Sequence, residues 1–198
     1  MMKKSNPSQA QGSPSTPSTD KGLAMGASSV DSAAEVNTII AQCTAMDDLL
    51  RVMLEQAGSI YPSPNWLFGG ITDMENPVEV EVLAHSHMRL KTVYLGMRIP
   101  ILCSPFSHRI FEEHCVSYVG EDLGTLSLLN SHFAETFALS SFMGIPLLFS
   151  NKIIGVLYAA TLKGEKASAP TESQEEALRN LARAGALAFH QIKTRTSM

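Results

Sequence analysis

The sequence predicts an α+β domain built on one central antiparallel sheet, flanked by helices at both chain ends. Three observations carry that prediction. Two long apolar runs, SFMGIPLLF and KIIGVLYAATL, stand back to back around the polar triplet Ser150-Asn151-Lys152. The segment VEVEVL alternates valine and glutamate before its final leucine, with the period of a strand that has one wet face. Stretches with three- and four-residue apolar spacing open and close the folded part. Strands in a meander bracketed by helices favour one antiparallel sheet over a parallel α/β arrangement.

Residues 1–33 are rich in Ser, Pro, Gly, Thr and Gln and poor in large apolar side chains. They cannot offset their own ordering entropy, so they are predicted to be a disordered tail ahead of a single domain over 34–196. The helical pattern starts near Ser32, with Val36, Ile39, Ile40, Cys43, Met46, Leu50, Met53 and Leu54 on one stripe. Thr44, followed by Asp47 and Asp48, is placed to cap a second helix, which leaves one long helix or two both open. Gly58 and the Pro62/Pro64 pair are expected to end it.

Strands are expected over 65–72 (NWLFGGIT), 78–83 (VEVEVL) and 91–100 (KTVYLGMRIP), the last stopped by its proline. In SPFSHRIFEEHC, Ser104 reads as an N-cap and Pro105 as the first helical residue. A brief strand over 116–119 and one or two short helices over 122–137 follow. The two apolar runs then form a buried hairpin at the sheet centre, with helices over its inner face. A polar linker leads to a closing helix, where Thr171 and Gln174 fit a capping box and acidic residues load the first turn. On that helix Leu178, Leu181, Gly185, Ala188 and Ile192 form a short heptad-like seam.

A chain of 198 residues with 44% hydrophobic content holds one domain with a real core. A net charge of −4 gives no broad positive field, and neither nucleic acid nor an acidic membrane is expected as a partner. No apolar run approaches the ~18–20 residues that span a bilayer. The opening Met-Met-Lys-Lys has no apolar stretch behind it and does not read as a secretory signal. Three cysteines, Cys43, Cys103 and Cys115, without CxxC or zinc-ligand spacing, fit a reducing compartment, and a cytoplasmic location is expected. Phosphate loops, HExxH and GxSxG patterns do not occur.

The stretch GIPLLFSNKIIGVLYAA resembles the central hairpin of GAF domains. AMDDLLRVMLEQAGSIY is similar to that family's opening helix, and TESQEEALRNLARAGALAFHQI to its closing one. The three occur in the family's order, over roughly residues 35–195. The resemblance implies a GAF-like (profilin/PAS-like) sheet of about six strands, with the N- and C-terminal helices packed together. It also implies a small-molecule cavity between one sheet face and residues 104–137, a sensory or regulatory role in signal transduction, and a homodimer through the terminal helices. GAF domains bind cyclic nucleotides, bilins, haem, metal or small metabolites, and some bind nothing known, so the cofactor is left unknown.

Particular residues narrow the choice. Asn151-Lys152 matches part of the cyclic-nucleotide signature, but turn chemistry explains the pair and the matching Phe is missing. His114-Cys115 reverses the Cys-His order of bilin attachment, and packing of Cys115 is the better reading. His85 and His87 share a strand face, yet no carboxylate or Cys stands at ligand spacing, and no metal is expected. A thiol enzyme resembling free methionine-R-sulfoxide reductases is the runner-up, with Cys103 as nucleophile and Cys115 as resolving thiol. The sequence around Cys103, Ile-Leu-Cys-Ser-Pro, lacks that family's glycine context, so the reading stays non-enzymatic. Candidate ligand contacts are Arg98, Phe106, Ser107, His108, Phe111, Tyr118, Phe133 and Phe142, aromatics with a few polar groups among them. A ligand-free protein-interaction domain is the remaining alternative.

Overall fold

The computed structural model describes residues 29–62, 65–71, 77–86, 95–101, 104–166 and 168–196. The two apolar runs form β5 (Leu139–Phe149) and β6 (Lys152–Leu162), a long hairpin. Ser150 and Asn151 close it at φ values of 50° and 60°. Positive φ at both central residues is what a two-residue primed turn needs to match strand twist, and the short polar side chain of Asn tolerates it well.

The remaining strands are β1 (Asn65–Ile71), β2 (Glu79–His85), β3 (Arg98–Pro100) and β4 (Ser117–Gly120). They assemble into one six-stranded sheet in the order β3-β2-β1-β6-β5-β4. Every pairing is antiparallel. The hairpin is therefore interior to the sheet, between β1 and β4. Its residues are buried from Leu139 to Leu147 and from Ile153 to Thr161. That continuous burial on both faces explains why these strands read as unbroken apolar runs.

Helices cover one face. These are α1 (Ser29–Gln42), α2 (Met46–Ile60) and α5 (Glu172–Thr196). Leu49, Met53, Leu178, Leu181 and Phe189 pack there with Trp66, Phe68, Met143, Ile145 and Leu157 of the sheet. Phe68 stacks on Phe189 with ring centres 5.5 Å apart, fixing the closing helix over β1. A bulge tunes the strand phase: Leu147 pairs with Gly155 and Leu148 with Ile153, so Ile154 is left over. Ile154 joins the helical face, while its neighbour Ile153 faces the other way.

The opposite face is roofed by α3 (Pro105–Phe111), two 3₁₀ turns (Glu121–Leu123 and Leu126–Leu128) and α4 (Ser131–Thr136). Leu67, Val80, Val82, Val119, Phe142, Val156 and Tyr158 pack under them.

Several expectations are corrected. The opening segment is two helices, and the second is capped by Ala45 without a side-chain bond, not by Thr44. Gly58 lies inside α2, which runs on to Ile60 before Pro62. α1 starts at Ser29, within the stretch expected as tail; residues 1–28 lie outside the described residues. The third strand is shorter than expected, because Leu95 and Gly96 form a turn with Gly96 at φ 76°, and residues 91–94 lie outside the described residues. Val80 and Val82 are buried as the alternation required, but Val78 precedes β2 and is exposed. The seam on the closing helix turns inward: Leu178, Leu181, Gly185, Ala188 and Ile192 are all buried against the chain's own core. It is not a free stripe for a twin.

The capping box is as expected. Thr171 N–H donates to Gln174 Oε1 at 2.9 Å, and Gln174 N–H donates to Thr171 Oγ1 at 3.3 Å. Gln174 Nε2 also donates to the Ile60 carbonyl at 3.1 Å, which ties the start of α5 to the end of α2.

Candidate functional site

The space between the roof and the sheet is the region in which the candidate ligand contacts were expected. Its geometry begins with the cap of α3. Ser104 Oγ accepts from the Ser107 N–H at 3.1 Å and Pro105 opens the helix, so α3 starts at a fixed point. Phe106 and Ile110 then face the sheet and are buried. They reach it closely because β5 has glycine beneath them: a Cβ on Gly144 would lie 2.3 Å from Ile110 Cδ1 and 3.1 Å from Phe106 Cζ. On the other side, Asn130 Oδ1 caps α4 by accepting from the Phe133 N–H at 3.2 Å.

Four rings meet between these helices. Phe142 is the hub, with ring centres 5.3 Å from Phe106, 5.5 Å from Phe133 and 5.1 Å from Tyr158. The Tyr158 ring is nearly parallel to Phe142, at 15°. What they leave is a cavity of about 30 Å³, lined by Ile99, Ser107, Asn130 and these rings. Cavities that hold drug-sized ligands run to roughly 300–1,000 Å³.

Of the expected contacts, Phe106, Ser107, Phe133 and Phe142 do line this cavity. Phe111 is half-buried in the same apolar layer without lining it. Arg98 points away, its guanidinium paired with Glu79 at 2.6 Å and its side chain 62% exposed. His108 is an exposed neighbour of Glu113, 3.7 Å away. Tyr118 packs on the helical face instead, with its hydroxyl donating to Asp122 at 3.3 Å. Strand alternation is the reason: Val119 takes the roof-facing position, so Tyr118 must face the helices. Burial pushes the Tyr118 phenol up to about 12, and the Asp122 carboxylate adds to the rise.

Tyr158, Leu129 and Asn130 were not among the expected contacts. Tyr158 could have been found by parity, since Phe142 pairs with Ala160 across the hairpin, and Ala160 and Tyr158 share a face. Burial alone raises its hydroxyl far above the ordinary tyrosine range.

Of the two thiols in the enzyme reading, only Cys115 is among the described residues. Cys115 follows α3, with its thiol donating to the Glu113 carbonyl at 3.3 Å, and it does not line the cavity. Cys103 and His87 lie outside the described residues. Among the described residues no three His, Cys, Asp or Glu side chains converge as metal ligands, and no helix is long and apolar enough to cross a membrane. Two of the wider depressions lie on the helical side. One, of about 540 Å³, runs between α2 and the end of β2 and is lined by Leu50, Leu54, Leu83 and His85. The other, of about 520 Å³, is lined by residues of α1, α2 and α5.

No protein-family model and no curated protein matches the chain. Solved structures do resemble it. The GAF domain of an Acinetobacter phosphoenolpyruvate-protein phosphotransferase aligns over 83% of this chain and 94% of its own, at TM-score 0.63 and 13% identity. The phycocyanobilin-bound GAF domain of a cyanobacterial phytochrome aligns over 84% and 96%, at TM-score 0.64 and 14% identity. The GAF-B domain of DevS from Mycobacterium smegmatis aligns over 77% and 98%, at TM-score 0.57 and 14% identity. Element order, the interior hairpin and these likenesses agree: the chain has the GAF-domain fold.

Proposed function

We propose that this chain is a non-enzymatic regulatory domain that works through protein contacts, with the space beneath its roof filled by its own aromatic side chains. The observation that carries this reading is the cavity of about 30 Å³ left by Phe106, Phe133, Phe142 and Tyr158. A pigment or an organic effector cannot enter it without separating rings whose centres lie 5.1–5.5 Å apart. The bilin of the cyanobacterial neighbour is that protein's own ligand and is not carried over.

The contact surface is the outer side of the terminal helices, and the partner is a second copy of the chain. The buried seam of α5 is unavailable for this. Ile39 on α1 and Leu187 on α5 are instead 37% and 51% exposed. Sedimentation equilibrium tests the reading: the parent chain is expected to dimerise, and Leu187→Glu to weaken the dimer while leaving the fold intact. A parent that stays monomeric at high concentration contradicts the homodimer.

A further inference from the structure

The groove between α2 and the end of β2 has a volume of about 540 Å³, within the roughly 300–1,000 Å³ of binding sites, and lies away from the roof. Four leucines line it. Leu50 and Leu54 of α2 are buried, whereas Leu83 of β2 and Leu95 ahead of β3 are 39% and 52% exposed. Apolar side chains left in solvent around a groove with polar neighbours mark a surface that another protein covers.

His85 lines the same groove, and neither of its ring nitrogens has a hydrogen-bond partner although both are buried. In the neutral ring one nitrogen carries a proton and the other a lone pair, so a donor and an acceptor are both left unused. Native proteins seldom leave such groups unmatched, and a group from outside the chain can match them. A peptide main chain offers both complements, a C=O and an N–H.

The charge of the groove narrows the partner. Arg51 Nη1 lies 3.1 Å from Glu55 and its Nη2 3.8 Å from Asp48, so its charge is matched. Asp47 lines the groove, is exposed, and has no ion pair among the described residues. Asp47 and Asp48 both stand in the first turn of α2, where the helix dipole offsets only about half a unit of charge. What remains is negative and favours a cation.

We infer that this groove docks a short segment of a partner protein in which a leucine, methionine or aromatic side chain stands beside a lysine or arginine. The apolar side chain packs among the leucines and supplies affinity, while the basic one faces Asp47 and selects the partner. The segment's main chain meets His85 as the ring turns about its Cβ–Cγ bond. This rests on the reading of the chain as a domain that works through protein contacts, and it adds a surface separate from Ile39 and Leu187.

Selection of a phage-displayed random heptapeptide library on the full chain tests this. The recovered peptides are expected to join an apolar and a basic residue, and a synthetic copy to lose about tenfold in affinity on Leu83→Glu. Asp47→Lys is expected to turn the same selection towards acidic peptides. Both side chains are exposed, so both variants are expected to fold, and melting temperatures check it; should one fail, the other carries the test. In NMR spectra the synthetic peptide should shift the His85 ring and leave Phe142 and Tyr158 in place. A selection without such peptides, equal binding to Leu83→Glu, a preference unchanged in Asp47→Lys or an unmoved His85 ring overturns the inference. Leu83→Glu should dimerise like the parent in sedimentation; loss of the dimer would make a second copy the occupant and overturn the partner inferred here. A monomeric parent that still selects these peptides contradicts the homodimer alone.

Discussion

Gly144 of β5 stands directly opposite Tyr158 of β6, and a Cβ at 144 would meet Tyr158 Cε1 at 3.3 Å. The missing side chain lets the Tyr158 ring lie across the sheet and lets α3 descend onto it. Gly144→Ala is therefore expected to push Ile110 and Phe106 outward. Overpacking a tight core of this kind costs about 1–3 kcal/mol. Urea denaturation measures it, and an unchanged midpoint would show that the roof is looser than these contacts make it.

Gly58 gives the opposite sign. It lies within α2, and its Cβ would come no closer than 3.9 Å, to Trp66 Cδ1. Gly58→Ala gains helix propensity without a clash, a stabilisation of about 1 kcal/mol. The same urea experiment should move the midpoint upward.

Removing the cap of α5 is a third case. Thr171→Ala loses the Oγ1 bond to the Gln174 N–H, a change that costs about 1 kcal/mol. Gln174→Ala is expected to cost more, because it also strips the Ile60 carbonyl of its Nε2 donor. Comparison of the two melting temperatures checks the order.

Alkaline pH should weaken the fold. Burial raises the phenols of Tyr61, Tyr118 and Tyr158 above the ordinary 10.0, Tyr118 to about 12. The folded state thus holds these protons more tightly than the unfolded chain does. Their contribution is fully present below pH 10 and is lost as pH rises towards about 12. Denaturation midpoints across that window should fall, and less steeply in Tyr118→Phe. In a spectrophotometric titration the Tyr158 phenolate should appear only with unfolding.

Much of this architecture could be read in the chain. The hairpin was legible because interior strands buried on both faces lose their alternation and show as apolar runs. The caps at Ser104 and Thr171 were legible because they depend on local side-chain chemistry. The β-rich run over 91–100 hides the turn at Gly96, whose φ is 76°. The seam of Leu178 to Ile192 fits a sheet as well as a twin helix, and spacing alone does not say which it meets. Site residues were half legible. Composition located the aromatics of residues 104–142, but register decides their side, which placed Tyr118 with the helices and brought in Tyr158. Cavity volume depends on all these rings together, and no single residue reveals it.

Aromatic resonances of Phe106, Phe133, Phe142 and Tyr158, followed by NMR while tetrapyrroles, cyclic nucleotides and small metabolites are added, probe the closed roof most directly. The rings should keep their positions throughout, with no rise in melting temperature. A compound that shifts all four and stabilises the fold, as a bound ligand must by mass action, would contradict a roof filled by the protein's own side chains.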